Sequence, residues 1–173
     1  MNTTRRFLVA TLALCAGSSL FAQSSQQVTV NAIVPVMMNL TVDTNNVVMT
    51  FAQSDYKSDG TADKEVLNAT TFKVSSNSRW RLYVGSNSQR FSFNPSAGGQ
   101  DPGKNCGDLS LSPNNTNSYF SVTTGTHDIG NGMPGGFDDA GHVIPVNYKL
   151  HTTLAGDPPG TYTLTLTFTL MPG

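Results

Sequence analysis

Cysteine is nearly missing from this chain: Cys15 and Cys106 are its two among 173 residues, too few for a disulfide framework. Charge is scarce too, at 12% of residues against about 25% in an average soluble chain. Ten Lys and Arg stand against eleven Asp and Glu, so the excess of positive charge that nucleic acid or an anionic membrane surface calls for is absent. There is one long apolar run, Phe7 to Ala16, and it is too short to cross a bilayer as a helix. Helical patterning is the last absence. No window of eleven residues repeats apolar positions at i, i+3, i+4 and i+7, and "TADKEVLNAT" is expected to form one helical turn at most.

The apolar run has a different use. "MNTTRR" is a short positive lead, "FLVATLALCA" a hydrophobic core, and "GSSLFA" a small and polar tail. This order predicts a secretory signal peptide over residues 1–22, with the mature chain, residues 23–173, forming one domain. Two variants are disfavoured: "TRRFLV" matches a twin-arginine signal only in part, and Leu14 stands where a lipoprotein box needs a small residue before Cys15. Arg5 and Arg6 leave with the signal and all acidic residues stay. Cys106 then remains alone among the turn formers of "DPGKNCGDLS", and the fold must hold without a staple.

What the chain has in quantity is alternation. Apolar residues recur every second position in "QVTVNA" (Val28, Val30, Ala32, continuing to Val34), "VVMTF" (Val47, Met49, Phe51), "TFKVS", "WRLYV" (Trp80, Leu82, Val84), "FSF", "LSL", "YFSVTT" and "VIPVNYKLHTT". The last run, "TYTLTLTFTL", sets Tyr162, Leu164, Leu166, Phe168 and Leu170 against an unbroken row of threonines. Clusters of Gly, Pro, Asn, Asp and Ser bound each run, as turns bound strands. Strands with one oily face and no helices to cover it must cover one another. The expected fold is therefore all-β, an immunoglobulin-like antiparallel sandwich of about eight or nine strands.

The terminal ribbon is expected to run as one strand of roughly 33 Å, the height of a sheet. Its five apolar side chains would contribute on the order of 8–15 kcal/mol if fully buried. Its threonine face carries no charge to repel a neighbouring strand. Trp80 is expected to anchor the core.

Two glycine-rich loops are predicted, residues 94–108 and 125–142. Loops at the ends of a sandwich often carry binding, which makes Asp128, Asn131, Phe137, Asp138 and Asp139 the candidate binding residues. Catalytic and metal motifs fail on inspection. "GNGMPG" fits the dinucleotide fingerprint in letters, but Pro134 lies inside it and no helix follows. "DYKSDGTADKE" has Lys57 and Val66 where a calcium loop needs oxygen ligands. His127, His142 and His151 lack zinc spacing, and no GxSxG elbow occurs. No catalytic residue, cofactor or metal is expected.

"SNSRWRLYV" and "PPGTYTLTLTFTLMPG" together resemble the paired signature of WxL-type cell-surface domains, with Trp80 and Leu82 in the first motif and Tyr162 to Leu170 in the second. Phe168 stands in place of that family's tryptophan. The opening "QVTVNAIVP", the "FAQSDY" stretch and the closing "GTYT" ribbon are also similar to spore coat protein U-like and fimbrial subunits, although the cysteine pair usual there is missing. Both resemblances imply a non-enzymatic protein of the bacterial surface, secreted or periplasmic. The WxL likeness implies binding of peptidoglycan, another glycan or a partner surface protein. The fimbrial likeness implies a structural or adhesive subunit whose copies join by strand pairing, with Val28, Val30, Ala32 and Val34 as the strand that is passed on.

Overall fold

A computed structural model describes residues 29–173. The expected signal peptide and Val28 lie outside the described residues. The chain divides after Val34 into two units. In the first, Thr29–Val34 carries no assigned strand, and Val30, Ile33 and Val34 are exposed.

The second unit, Pro35–Gly173, is all-β. Its strands are β1 (Met38–Val42), β2 (Thr61–Ser76), β3 (Trp80–Ser86), β4 (Ser92–Pro95), β5 (Leu109–Pro113), β6 (Phe120–Ser121), β7 (His127–Gly132), β8 (Val143–Thr153), β9 (Gly160–Thr163) and β10 (Leu166–Pro172). Two single 3-10 turns, Gln53–Asp55 and Cys106–Asp108, complete it. One sheet runs β1-β2-β8-β5-β6 and a second β10-β3-β7, with β4 and β9 forming a small pair. Every pairing is antiparallel. Phe72, Val74, Leu111, Ile144 and Val146 of the first sheet meet Trp80, Leu82, Val84 and Ile129 of the second in one buried core. These are the inward members of alternating runs, so period two sets the sandwich.

Besides "QVTVNA", whose described residues form no strand, four elements of the second unit differ from expectation. "TADKEVLNAT" belongs to the sixteen-residue β2. Asp63 and Glu65 face solvent, while Ala62 is buried and Lys64 on its face is half-buried against Asp55, an alternation that the mixed charges hide. Val66 pairs with Tyr148 and Thr70 with Val146, so two residues loop out between them. Asn68 takes the left-handed conformation there (φ 49°) and donates its N–H to the side chain of the buried Asn147 at 2.7 Å. "VVMTF" forms no strand, although Val47 and Met49 still pack half-buried on the core. "HDIGNG", expected as loop, is β7, a strand disguised by its glycines.

The terminal ribbon is the fourth. It is two strands: β9 pairs with β4, and β10 with β3. Leu164 and Thr165 mark the change of partner. Its apolar side chains are half-buried rather than buried.

Those glycines are required by neighbours. A Cβ on Gly132 would stand 2.5 Å from the Trp80 ring, and one on Gly130 would stand 2.7 Å from Ile144. The fingerprint-like "GNGMPG" is thus a seat for the tryptophan. Gly160 of "PPGTY" is fixed likewise, since its Cβ would meet the Phe93 ring at 2.3 Å.

Candidate strand-pairing surface

β10 is an edge strand, and its hydrogen-bond phase can be read from its ends. Asn87 donates its N–H to the Thr165 carbonyl at 3.1 Å, and Gly173 donates to Arg79 at 2.9 Å. Both pairs continue the β10–β3 register. Antiparallel ladders alternate bonded and non-bonded pairs, so Thr165, Thr167, Thr169 and Met171 bond β3. The peptide groups of Leu166, Phe168 and Leu170 therefore point to the free edge. Pro172 falls on the same outward phase, where a missing N–H costs no ladder bond.

β1 mirrors this arrangement. Asn77 donates to the Met37 carbonyl at 3.1 Å and Asp43 to that of Thr71 at 3.2 Å, fixing odd residues as the ones bonded to β2. Met38, Leu40 and Val42 then turn their peptide groups outward. The entry to β1 is clamped by the Asn77 side chain, which accepts from Met37 N–H and donates to the Pro35 carbonyl, both at 2.8 Å.

These two edges lie side by side across the sandwich. Met38, Leu40, Leu166, Phe168 and Leu170 face the core yet stay half-buried, with the Phe168 ring tilted by 35° against that of Phe72 at 4.2 Å between ring centres. Among the described residues this side of the sandwich is an open seam: apolar side chains point inward, peptide groups without a ladder partner point outward, and neither strand segment carries a charged residue. Charge is a common protection of natural edges, and it is missing here.

The other residues singled out from the sequence fall in three places. Trp80 and Leu82 are fully buried and pair across to Pro172 and Leu170, so the two resemblance motifs are neighbouring strands. The Trp80 ring packs edge-on against His142 at 5.4 Å, and its indole nitrogen has no hydrogen-bond partner among the described residues. Tyr162 and Leu164 lie on the β9 side of the ribbon break. The Tyr162 hydroxyl donates to the Pro158 carbonyl at 2.8 Å. Its pKa is pushed up to about 12 by burial first, then by the charges of Asp157 and Asp101.

The candidate binding loop does not converge. Asp128 and Asn131 sit on β7, where Asp128 accepts from Gly130 N–H at 3.0 Å and approaches Arg81 at 3.6 Å. Asp138 pairs with Lys73 at 2.7 Å on the surface, and Asp139 accepts from Gly136 N–H at 2.5 Å within a turn. Phe137 is half-buried. Among the described residues no cluster of acidic, His or Cys side chains has metal-holding geometry.

Reading the sequence for function missed β1 as half of the seam. "MNLTV" alternates Met38, Leu40 and Val42, and that was the available signal. It missed Lys104 altogether. This lysine is buried, with its ammonium bonded to both carboxylate oxygens of Asp157 at 3.0 Å, to the His151 carbonyl at 2.7 Å, and paired with Asp108 at 3.3 Å. It fastens the 94–108 loop to the β8–β9 turn, and nothing in "PGKNCGD" announces burial.

Compared with known proteins, the chain matches no family model and no curated protein.

Proposed function

We propose that the protein is a non-enzymatic structural subunit of a bacterial surface assembly, exported by the signal peptide over residues 1–22. Its copies join by strand pairing at the β1–β10 seam. The observation that supports this most is the coincidence, on one side of one sandwich, of two uncharged free edges and half-covered core residues. Completing the burial of Leu166, Phe168 and Leu170 would release roughly half of the stabilisation those three side chains can give, on the order of 2–4 kcal/mol. An added strand would also satisfy the outward peptide groups. The strand of fitting chemistry is the stretch holding Val28, Val30, Ala32 and Val34 of a second copy, because its side chains alternate with the period the seam requires.

Sedimentation velocity of the mature chain over a hundredfold concentration range tests the proposal. Concentration-dependent oligomers are expected, and deletion of residues 23–34 should leave folded monomer. A mature chain that stays monomeric throughout, or a deletion variant that assembles equally well, would refute it.

The pairing of the "WRL" strand with the terminal ribbon favours a second reading, a WxL-like module that holds peptidoglycan, another glycan or a partner surface protein. Retention on purified peptidoglycan by a variant that cannot assemble would favour that reading.

A further inference from the structure

At the ribbon break the sandwich opens into a cleft of about 300 Å³, the lower end of the range for small-ligand sites, roughly 300–1,000 Å³. It exists because the ribbon trades β4 for β3 while the chain between Ser86 and Ser92 swings aside.

The walls are held. Ser86 Oγ donates to the Ser88 carbonyl at 2.6 Å, and Arg90 N–H donates to Ser88 Oγ at 3.1 Å. Cys106 N–H donates to the Gln89 carbonyl at 2.8 Å and Phe91 N–H to that of Lys104 at 2.9 Å. Across the cleft Thr167 donates to Asn87 Oδ1 at 2.5 Å, and Ser92 donates to the Thr163 carbonyl at 3.2 Å. A site braced on both sides loses little entropy when a ligand enters.

The lining has a definite chemistry. Polar and apolar surface share the lining: Asn87, Ser88, Ser92, Thr163 and Thr165 bring hydroxyls and an amide, and Phe91 and Leu164 stand among them. Arg90 is the one charged residue of the lining, and it has no ion-pair partner among the described residues. Its guanidinium lies over Gly103, where even a Cβ would stand 3.1 Å from Nη1. Neutral donors and acceptors suit a polyol, an apolar patch suits the C–H face of a pyranose, and an unpaired guanidinium suits a carboxylate.

We infer that this cleft binds a carboxylate-bearing sugar, a uronic-acid residue, with Arg90 on the carboxylate and the Asn87, Ser92, Thr163 and Thr165 side chains on the ring hydroxyls. The site is separate from the strand-pairing reading and stands whether or not copies assemble.

The test is a nitrogen-15 amide titration of the mature chain with sodium D-glucuronate, with D-glucose and sodium acetate as comparators. Shifts confined to residues 87–92 and 163–165 are expected, with glucose and acetate each binding at least about tenfold more weakly, since each lacks one half of the recognition. Arg90→Gln should reduce glucuronate binding about tenfold towards that of glucose, and Thr165→Val should weaken both sugars while sparing acetate. Both residues are exposed, so folding survives either change. Acetate equal to glucuronate would mean a bare anion contact, and glucose equal to it would mean no carboxylate recognition. Shifts elsewhere would mean no site here. Each of these overturns the inference.

Discussion

Single residues decide where this sandwich tolerates change. Gly132 abuts the Trp80 indole, which itself leaves a buried nitrogen without a partner, so the tryptophan cannot shift towards a better-bonded position. Gly132→Ala should cost about 1–3 kcal/mol by overpacking, read as a lower urea midpoint with an unchanged slope. Gly125→Ala, where the added Cβ would meet only Thr123 Oγ1 at 3.5 Å, should cost much less. Lys104 is a second such residue. Lys104→Met removes the ammonium and leaves the half-enclosed Asp157 carboxylate unpaired, at a cost of about 3 kcal/mol. Lys57→Met, which breaks an exposed pair with Asp63, should change stability by under about 1 kcal/mol.

Acid sensitivity also belongs to this scale. Asp43 is held below the usual carboxylate range chiefly by the Thr71 N–H that it accepts, and Asp63 chiefly by its bond to His151, then by Lys57. A carboxylate with a lower pKa folded than unfolded binds fewer protons in the folded state. Its stabilisation is therefore full above the unfolded value of about 3.9 and is lost as pH falls through the folded one. The contribution of these two aspartates to the unfolding free energy should be flat from neutral pH to about 5 and then decline. Asp43→Asn should flatten that decline, and an unchanged slope would show that Asp43 contributes nothing to it.

At the scale of elements, alternation in the sequence carried the core strands faithfully, because each buries one face and its apolar residues say which. It failed where another constraint overrode the pattern. β7 was hidden because Gly130 and Gly132 must stay bare beneath Ile144 and Trp80. The second half of β2 was legible in "TFKVS", but its first half was hidden by the charges of Asp63, Lys64 and Glu65 and by the loop-out at Asn68. The reverse error, "VVMTF", has the right period and no ladder. The candidate surface was half legible: the ribbon stood out, but the free status of its edge is a property of topology, which no single strand encodes. A prediction follows from the ladder phase. Thr169→Pro deletes a bond to β3 and should cost about 3 kcal/mol, whereas replacing Pro172 with Ala should be nearly neutral, since that position faces away from β3.

For the whole molecule, the sparse charge and the open seam describe one surface strategy. A sandwich that buries its ribbon only halfway sits below the stability it could reach, and a further strand would supply the remainder. Few charges elsewhere would oppose close packing of copies. The most direct measurement of this account is amide hydrogen exchange on the mature chain at low and at high protein concentration. The account predicts that Leu166, Phe168 and Leu170 exchange fast in the dilute protein while Thr167 and Thr169 are protected. At high concentration the three fast amides should become protected as well. Protection of Leu166, Phe168 and Leu170 already in dilute protein, or fast exchange that concentration leaves unaltered, would contradict it.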